Sequence, residues 1–342
     1  MRKAAILLFI TLIIVGIGAG LFGSSLWGRL HDPFKGYPGA EQFVEVPQGT
    51  STGAIGRRLV DAGVVRDPLV FRVALWWTGE SRGLKAGEYR FDAPLSVIGV
   101  VERLARGDVY ARRITFPEGL TMREMARLFE SRGFGAARDF IAAAGNEMLI
   151  ADLDARASDL EGYLFPDTYA LPRGTAAARL VAQMVGRFRS TYSEELRRLA
   201  AEQGMSTREV VALASLVEKE TGTGDERALV SAVYRNRLRI GMGLQADPTV
   251  VYALQVAGTY DGNIRREDLA FDSPYNTYKY RGLPPGPIAS PGKASLEAAL
   301  APADVPYLYF VSRNDGTHAF ASTLDEHNRN VREWQVEYFR RR

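Results

Sequence analysis

"VEVPQGTSTGAIGRRLVDAG", residues 44 to 63, returns without a gap seventy positions later as "ITFPEGLTMREMARLFESRG", residues 114 to 133. Val46 pairs with Phe116, Pro47 with Pro117, Gly49 with Gly119, Ser51 with Thr121, Ile55 with Met125, Leu59 with Phe129 and Gly63 with Gly133. Each copy reads as a short alternating strand, a turn, a Ser or Thr helix cap, a helix with apolar positions four apart, and a terminating glycine. Between them "GEYRFDAPLSVIGVVERLARG" (87 to 107) follows the plan more loosely, with Ser96 as cap and Gly107 as stop. Units this short cannot bury a hydrophobic face alone, so residues 43–155 are expected to be βα modules packed on one another. "GTSTG" (49 to 53) also fits a nucleophile-elbow pattern, but its partner "GLTMR" carries Thr121 where Ser51 stands, and a helix cap explains both hydroxyls.

Toward the N-terminus, residues 4–23 ("AAILLFITLIIVGIGAGLFG") carry no charge, and about 20 apolar residues suffice to cross a bilayer as a helix. Arg2 and Lys3 precede the run and are expected to stay cytoplasmic. No A-x-A site follows, so a retained anchor over 4–24 with a cytoplasmic tail at 1–3 is favoured over a cleaved signal peptide. "GAGLFG" (18 to 23) matches G-x-G-x-x-G but lies inside the span with no preceding strand, so it binds no dinucleotide. Residues 25–42, mixing Gly, Pro and charge, read as a linker.

Toward the C-terminus, "DLEGYLFPDTYALPRGT" (159 to 175) is turn-rich. Helical patterns follow over 175–203, 207–221 and 225–240, and a short helix starts at Asp247, read as its cap, with Pro248 at the first turn. "DSPYNTYKYRGLPPGPIASPG" (272 to 292) reads as a rigid extended loop. Two strands joined at Asn314-Asp315-Gly316 and a charged helix close the chain. The fold class is α+β: an N-terminal transmembrane helix, βα modules over 43–155, and an α+β domain over 156–342 with a small antiparallel sheet.

The 342 residues have a formal charge of +3 with cations and anions interspersed, which gives no footprint for nucleic acid. Cysteine is absent, excluding disulfides, thiolate metal sites and a cysteine nucleophile. His31, His318 and His327 have no ligand spacing, so no metal and no cofactor is expected.

The chemistry concentrates in "LASLVEKET" (213 to 221). On a helix turning about 100° per residue, Glu220 falls about 20° from Leu213, in the middle of the apolar stripe of Val210, Leu216 and Val217, whereas Glu218 falls about 140° away, toward solvent. A carboxylate held against apolar side chains keeps its proton near neutral pH, as a general acid must. Geometry alone leaves a structural, salt-bridged Glu220 equally open. In the loop, Tyr275, Tyr278 and Tyr280 could stack on sugar rings with Asn276 hydrogen-bonding to them, although a purely structural loop is the commoner case. Asp247 is a weak second carboxylate, and glycoside hydrolases normally need two.

"ASLVEKET", "YRNRLRIGMGLQADPTVVYAL", "YNTYKYRGLPPGPIASPG", "PYLYFVS", "HAFASTLDEHN" and "EGYLFPDTY" closely resemble the YceG-like (MltG) family of endolytic murein transglycosylases. The resemblance implies a single-pass protein of the inner (cytoplasmic) membrane with its catalytic body periplasmic or extracytoplasmic, LysM-like modules before a catalytic domain, and peptidoglycan glycan strands as substrate. It implies cleavage inside nascent strands at the bond between N-acetylmuramic acid and N-acetylglucosamine, without water, leaving 1,6-anhydro-muramic ends. Peptidoglycan synthases are the expected neighbours. The family's catalytic glutamate maps onto Glu220, acting first as acid and then as base, so no second carboxylate is required. Asn276, Tyr278, Gln245 and Glu161, with Tyr275 and Asp247, are the groove residues expected on this resemblance. A non-catalytic peptidoglycan-binding scaffold and a lysozyme-like hydrolase remain the alternatives.

Overall fold

The computed structural model describes residues 2–222 and 224–340, with side chains from residue 9 onward. Met1 of the tail expected at 1–3 lies outside the described residues, as do the side chains of Arg2 and Lys3. Packing divides the chain into two compact units, Met1–Arg112 with Ala170–Arg173, and Arg113–Tyr169 with Gly174–Arg342. The division falls at 112/113, not at 155/156.

The first unit contains α1 (Arg2–His31), β1 (Gln42–Val46), α2 (Thr52–Asp61), α3 (Pro68–Thr78), β2 (Gly87–Phe91) and α4 (Val97–Arg106). β1 and β2 pair antiparallel, Gln42 opposite Phe91 and Val46 opposite Gly87. Val44, Val46, Tyr89 and Phe91 face inward and meet Ile55, Leu59, Phe71, Leu75, Val100 and Leu104 in one core. The expected caps are present: Ser51 accepts from Ala54 N–H and Ser96 from Gly99 N–H, and Gly107 ends α4 in the left-handed region. α3 goes unanticipated in the sequence reading; Asp67 caps it and Pro68 sits in its first turn.

α1 carries the apolar run, and its Phe9–His31 stretch is long and apolar enough to cross a membrane. It does not end at 24. The helix continues to His31, and Leu30 is buried in the core of the unit. The segment expected to be a linker is folded: Phe34 and Leu95 exchange backbone hydrogen bonds, Gly36 N–H donates to the Gly63 carbonyl, and Tyr37 is buried. Gly63, at φ +68°, has room for no side chain, because a Cβ there would lie 2.7 Å from the Gly36 carbonyl carbon. Gly, Pro and charge mark 25–42 as irregular, but its few apolar residues, Leu26, Leu30 and Tyr37, dock it onto the core.

Onward lie β3 (Arg112–Thr115), α5 (Met122–Ser131), α6 (Ala137–Ala144), β4 (Thr168–Leu171), α7 (Ala177–Thr191), α8 (Glu194–Glu202), α9 (Thr207–Glu220), α10 (Arg227–Arg239), α11 (Asp247–Ala257), α12 (Lys293–Leu300), β5 (Tyr309–Ser312), β6 (His318–Ala321) and α13 (Leu324–Val331). The helix of the third repeat, α5, has the expected Thr121 cap, in a full capping box with Glu124, but belongs to the second unit, and β3 pairs with β4. A shared strand-cap-helix pattern specifies the element, not its partner. The helix expected over 175–203 is two helices, broken at Tyr192 because Ser193 caps α8 through Leu196 N–H. β5 and β6 form the expected hairpin, with Asn314 at φ +65° and Gly316 at φ +89° in its turn. The chain is therefore mixed α+β, with small antiparallel sheets and one N-terminal apolar helix.

α9 is the centre of the second unit. Ser206 and Glu209 close a capping box at its start, and every residue from Val210 to Val217 is buried. α12 and α10 pack against it, and Ser215 Oγ accepts from Ile288 N–H in the Pro-rich loop.

Candidate active site

Because α9 is buried on all sides, the face that periodicity assigned to solvent is not solvent. Glu218, expected outside, has a side chain only 6% exposed. It accepts from Gly292 N–H (2.9 Å) and Ser295 Oγ–H (2.7 Å) and faces the Arg227 guanidinium at 3.5 Å, so it fastens α12 and α10 to the end of α9. The solvent assignment of Glu218 is corrected: a helical wheel finds the most apolar face and cannot see that a second layer covers the opposite one.

Glu220, at the last position of α9, is partly exposed, and its Oε1 accepts a 2.9 Å hydrogen bond from Tyr234 Oη. Burial of the carboxyl, first, and the negative charge of Asp247 push its pKa up to about 7, against the Tyr234 hydrogen bond and the Arg237 charge, which favour the anion. Tyr234 and Arg237 lie three apart on α10 and share one of its faces. Arg237 is 8% exposed; its Nε donates to the Leu308 carbonyl and its Nη1 to the Leu244 carbonyl, both at 2.6 Å, and it stacks 5.4 Å over the Tyr309 ring. The cation is satisfied by carbonyls, leaving its charge to act on Glu220. Sequence reasoning missed both residues, and only the i, i+3 spacing in "YRNRLR" hinted at them.

Asp247 opens α11, but Ala246 is the cap position and makes no side-chain cap bond. The expected capping role is therefore replaced: Asp247 Oδ1 accepts from Tyr278 Oη at 2.5 Å. Tyr278 and Asp247 thus join Glu220, Tyr234 and Arg237 in one electrostatic cluster, as their mutual pKa influences show. Gln245 stands beside them, exposed, at φ +48° in the left-handed region, with its N–H on the Thr277 carbonyl.

Three of the expected groove residues are elsewhere or engaged. Asn276 is 0% exposed; its amide donates to the Leu269 and Phe271 carbonyls and accepts from Tyr278 N–H, so it braces the loop that presents Tyr278 and has no surface for a sugar. Glu161 is buried against the start of α5, where both its oxygens receive Met122 N–H, and its Oε2 lies 3.4 Å from the donating Tyr252 hydroxyl. Tyr275 packs against Tyr252 with the ring planes tilted by 58° and the centroids 4.9 Å apart, in that second group. Burial pushes the Glu161 pKa up to about 8, so it is protonated at neutral pH.

The stability consequence of Glu161 has a definite sign. Its folded pKa lies above the unfolded value, so stability is lost as pH rises from about 4.5 to about 8. Glu161→Gln is expected to be neutral near pH 4 and stabilising by up to a few kcal/mol at pH 7. Glu161→Leu, which leaves Met122 N–H unpaired, should be about 1–3 kcal/mol less stable than the Gln variant at both pH values in urea unfolding. Equal stabilities of the two would show that the hydrogen bond contributes nothing.

A roomy cleft of about 1140 Å³, lined by Arg156, Arg208, Arg235 and Arg239 among others, lies at the opposite end of α9 and does not include Glu220. Size does not select the site; a perturbed carboxyl with convergent polar partners does.

Comparison with known proteins identifies the family. Residues 44–333 match the model of the YceG-like family. A Bacillus subtilis (strain 168) protein named endolytic murein transglycosylase is 33% identical, covering 93% of this chain and 90% of that protein. A protein of the same name from Streptococcus pneumoniae serotype 2 is 28% identical over 97% of this chain and 65% of its own length. The crystal structure of a protein described as yceG-like from Listeria monocytogenes superposes with a TM-score of 0.58 at 31% identity, covering 85% of this chain and 98% of that one. The chain belongs to the YceG-like family.

Proposed function

We propose that this protein is a membrane-anchored peptidoglycan lytic transglycosylase that cuts within nascent strands at the bond between N-acetylmuramic acid and N-acetylglucosamine. The observation that carries the reading is Glu220: a carboxyl protonated up to about pH 7, at the exposed end of a buried helix, in a chain whose relatives are named endolytic murein transglycosylases.

The reaction follows from that proton. Glu220 gives it to the departing glycosidic oxygen, and positive charge develops at C1 of the muramic residue. The Glu220 carboxylate then takes the proton of the C6 hydroxyl as O6 attacks C1, closing a 1,6-anhydro ring. The bond to the leaving oxygen breaks, the C1–O6 bond forms, and no water is consumed. Tyr234 holds the carboxyl in place, Arg237 offsets the carboxylate when it forms, and Asp247 faces the positive sugar. Tyr278 and Gln245 flank the sugar. The apolar span of α1 anchors the protein in the inner membrane with the catalytic part outside, the βα elements of the first unit act as LysM-like modules, the second unit is the catalytic domain, and cleavage terminates elongation beside the synthases.

One observation favours a second reading. Asp247 is a carboxylate near enough to raise the Glu220 pKa, as a hydrolase's second carboxylate would be. Mass analysis of products from uncross-linked glycan strands decides: ends lighter by one water support the transglycosylase, reducing ends the hydrolase, and uncut strands neither. The pH profile tests the proton. Activity should fall above about pH 7, and Tyr234→Phe, which removes a bond stabilising the anion, should move that limb to higher pH while leaving activity at pH 5 largely intact. An unmoved limb would mean that Glu220 is not the titrating group.

A further inference from the structure

α3 exposes the wrong side chains for a helix facing water. Leu69, Arg72 and Trp76 occupy one face at i, i+3 and i+7, and Trp77 adjoins them. Leu69 is 63% exposed, Trp76 77% and Trp77 55%, although the opposite face, Val70, Phe71, Ala74 and Leu75, is buried in the core. The patch is continuous with α1: Trp77 meets Trp27 edge-on at 6.1 Å, and Trp27, itself 55% exposed, stacks on His31. Trp27 lies one turn past Gly23, where the apolar run ends, so if α1 spans a bilayer Trp27 is at the depth where the hydrocarbon gives way to headgroups. Leu26 and Leu30 of α1 pack into the same core as Val70, Phe71, Ala74 and Leu75 of α3, so the end of the span and α3 belong to one packed unit.

We propose that the face of α3 formed by Leu69, Arg72, Trp76 and Trp77 rests in the membrane interface, so that the first unit lies on the bilayer surface at a fixed tilt. The occupant is lipid, because the patch continues the aromatic end of the span and adds a cation, Arg72, that makes no ion pair among the described residues and suits anionic headgroups. Indole rings, apolar in body and with one N–H donor, fit that boundary better than they fit water. The proposal rests on the anchor reading of α1 and adds a second contact to it.

The test uses the full chain in vesicles of phosphatidylethanolamine and phosphatidylglycerol, with and without bromine near the top of the acyl chains. Two variants each retain a single tryptophan, Trp27 or Trp76, the others becoming Phe. Strong bromine quenching of both supports the proposal. Quenching of Trp27 but not Trp76 overturns it and leaves the anchor standing. Quenching of neither removes the anchor reading and the proposal with it. Blue-shifted, unquenched Trp76 emission would mean a second copy or other protein covers the face, and overturns it as well. Hydroxyl-radical footprinting of the unsubstituted chain in the same vesicles guards against misfolded variants: Leu69, Trp76 and Trp77 should be protected, and full oxidation of them counts against the proposal.

Discussion

Glu220→Gln is expected to reduce glycan cleavage by about 10³-fold or more, since general acid–base catalysis contributes roughly 10²–10⁴ and here one group supplies both halves. The neutral amide keeps the shape and the contact with Tyr234 but carries no transferable proton. Stability should move the other way. The folded pKa of about 7 lies above the unfolded 4.5, so the ionised carboxyl destabilises the fold increasingly as pH rises between those values, and the cost is absent below 4.5. The Gln variant should therefore match the parent near pH 4 and exceed it at pH 8, by no more than about 2 kcal/mol after allowing for solvent screening. Anhydro-end formation and urea unfolding, each at both pH values, check this. A variant both inactive and less stable at pH 8 would point to a structural Glu220.

Glu218→Ala should give the reverse phenotype. It strips Gly292 N–H and Ser295 Oγ–H of their acceptor and leaves the largely buried Arg227 with the Ser295 hydroxyl oxygen at 3.1 Å and, as its one remaining anionic partner among the described residues, the more exposed Glu118 at 3.6 Å. Removing one partner of a buried ion pair costs about 3–5 kcal/mol. For a unit of this size that lowers Tm by roughly 10 °C. Well below that temperature the variant should keep most of its activity, because Glu218 has no contact with the Glu220 cluster. Two carboxylates one residue apart, one fixing the fold and one doing chemistry, would thus separate in calorimetry and in product assays. Normal thermal stability in Glu218→Ala would show that the α9–α12 junction does not depend on it.

What the sequence disclosed here follows from which interactions are local. Caps at Ser51, Ser96 and Thr121, and the left-handed Gly63, Gly107 and Gly133, are settled within a few residues, and a single chain displays them. Glu220 on the apolar stripe was legible for the same reason. Glu218 was not, because its environment comes from residues 292 and 295, more than seventy positions away. Asn276 was legible as an unusual polar residue in an aromatic loop, but whether its amide faces substrate or backbone depends on a fold-back within residues 269–278 that periodicity does not encode. Tyr234 and Arg237 gain meaning only when α10 is laid against the end of α9. The linker reading of 25–42 failed because three apolar side chains suffice to dock an irregular segment.

The carbonyl-bound Arg237 has a consequence for how charge is conserved within the site. Before reaction the cluster holds a neutral Glu220, an anionic Asp247 and a cationic Arg237, which sum to zero. In the proposed first step the proton leaves with the sugar oxygen, and the cluster becomes net negative just as C1 becomes positive. Enzyme and substrate together stay neutral throughout, so no charge need be drawn from solvent at any stage. Had Arg237 been paired with a carboxylate of its own, the cluster would begin negative, and Glu220 would hold its proton too tightly to give it up.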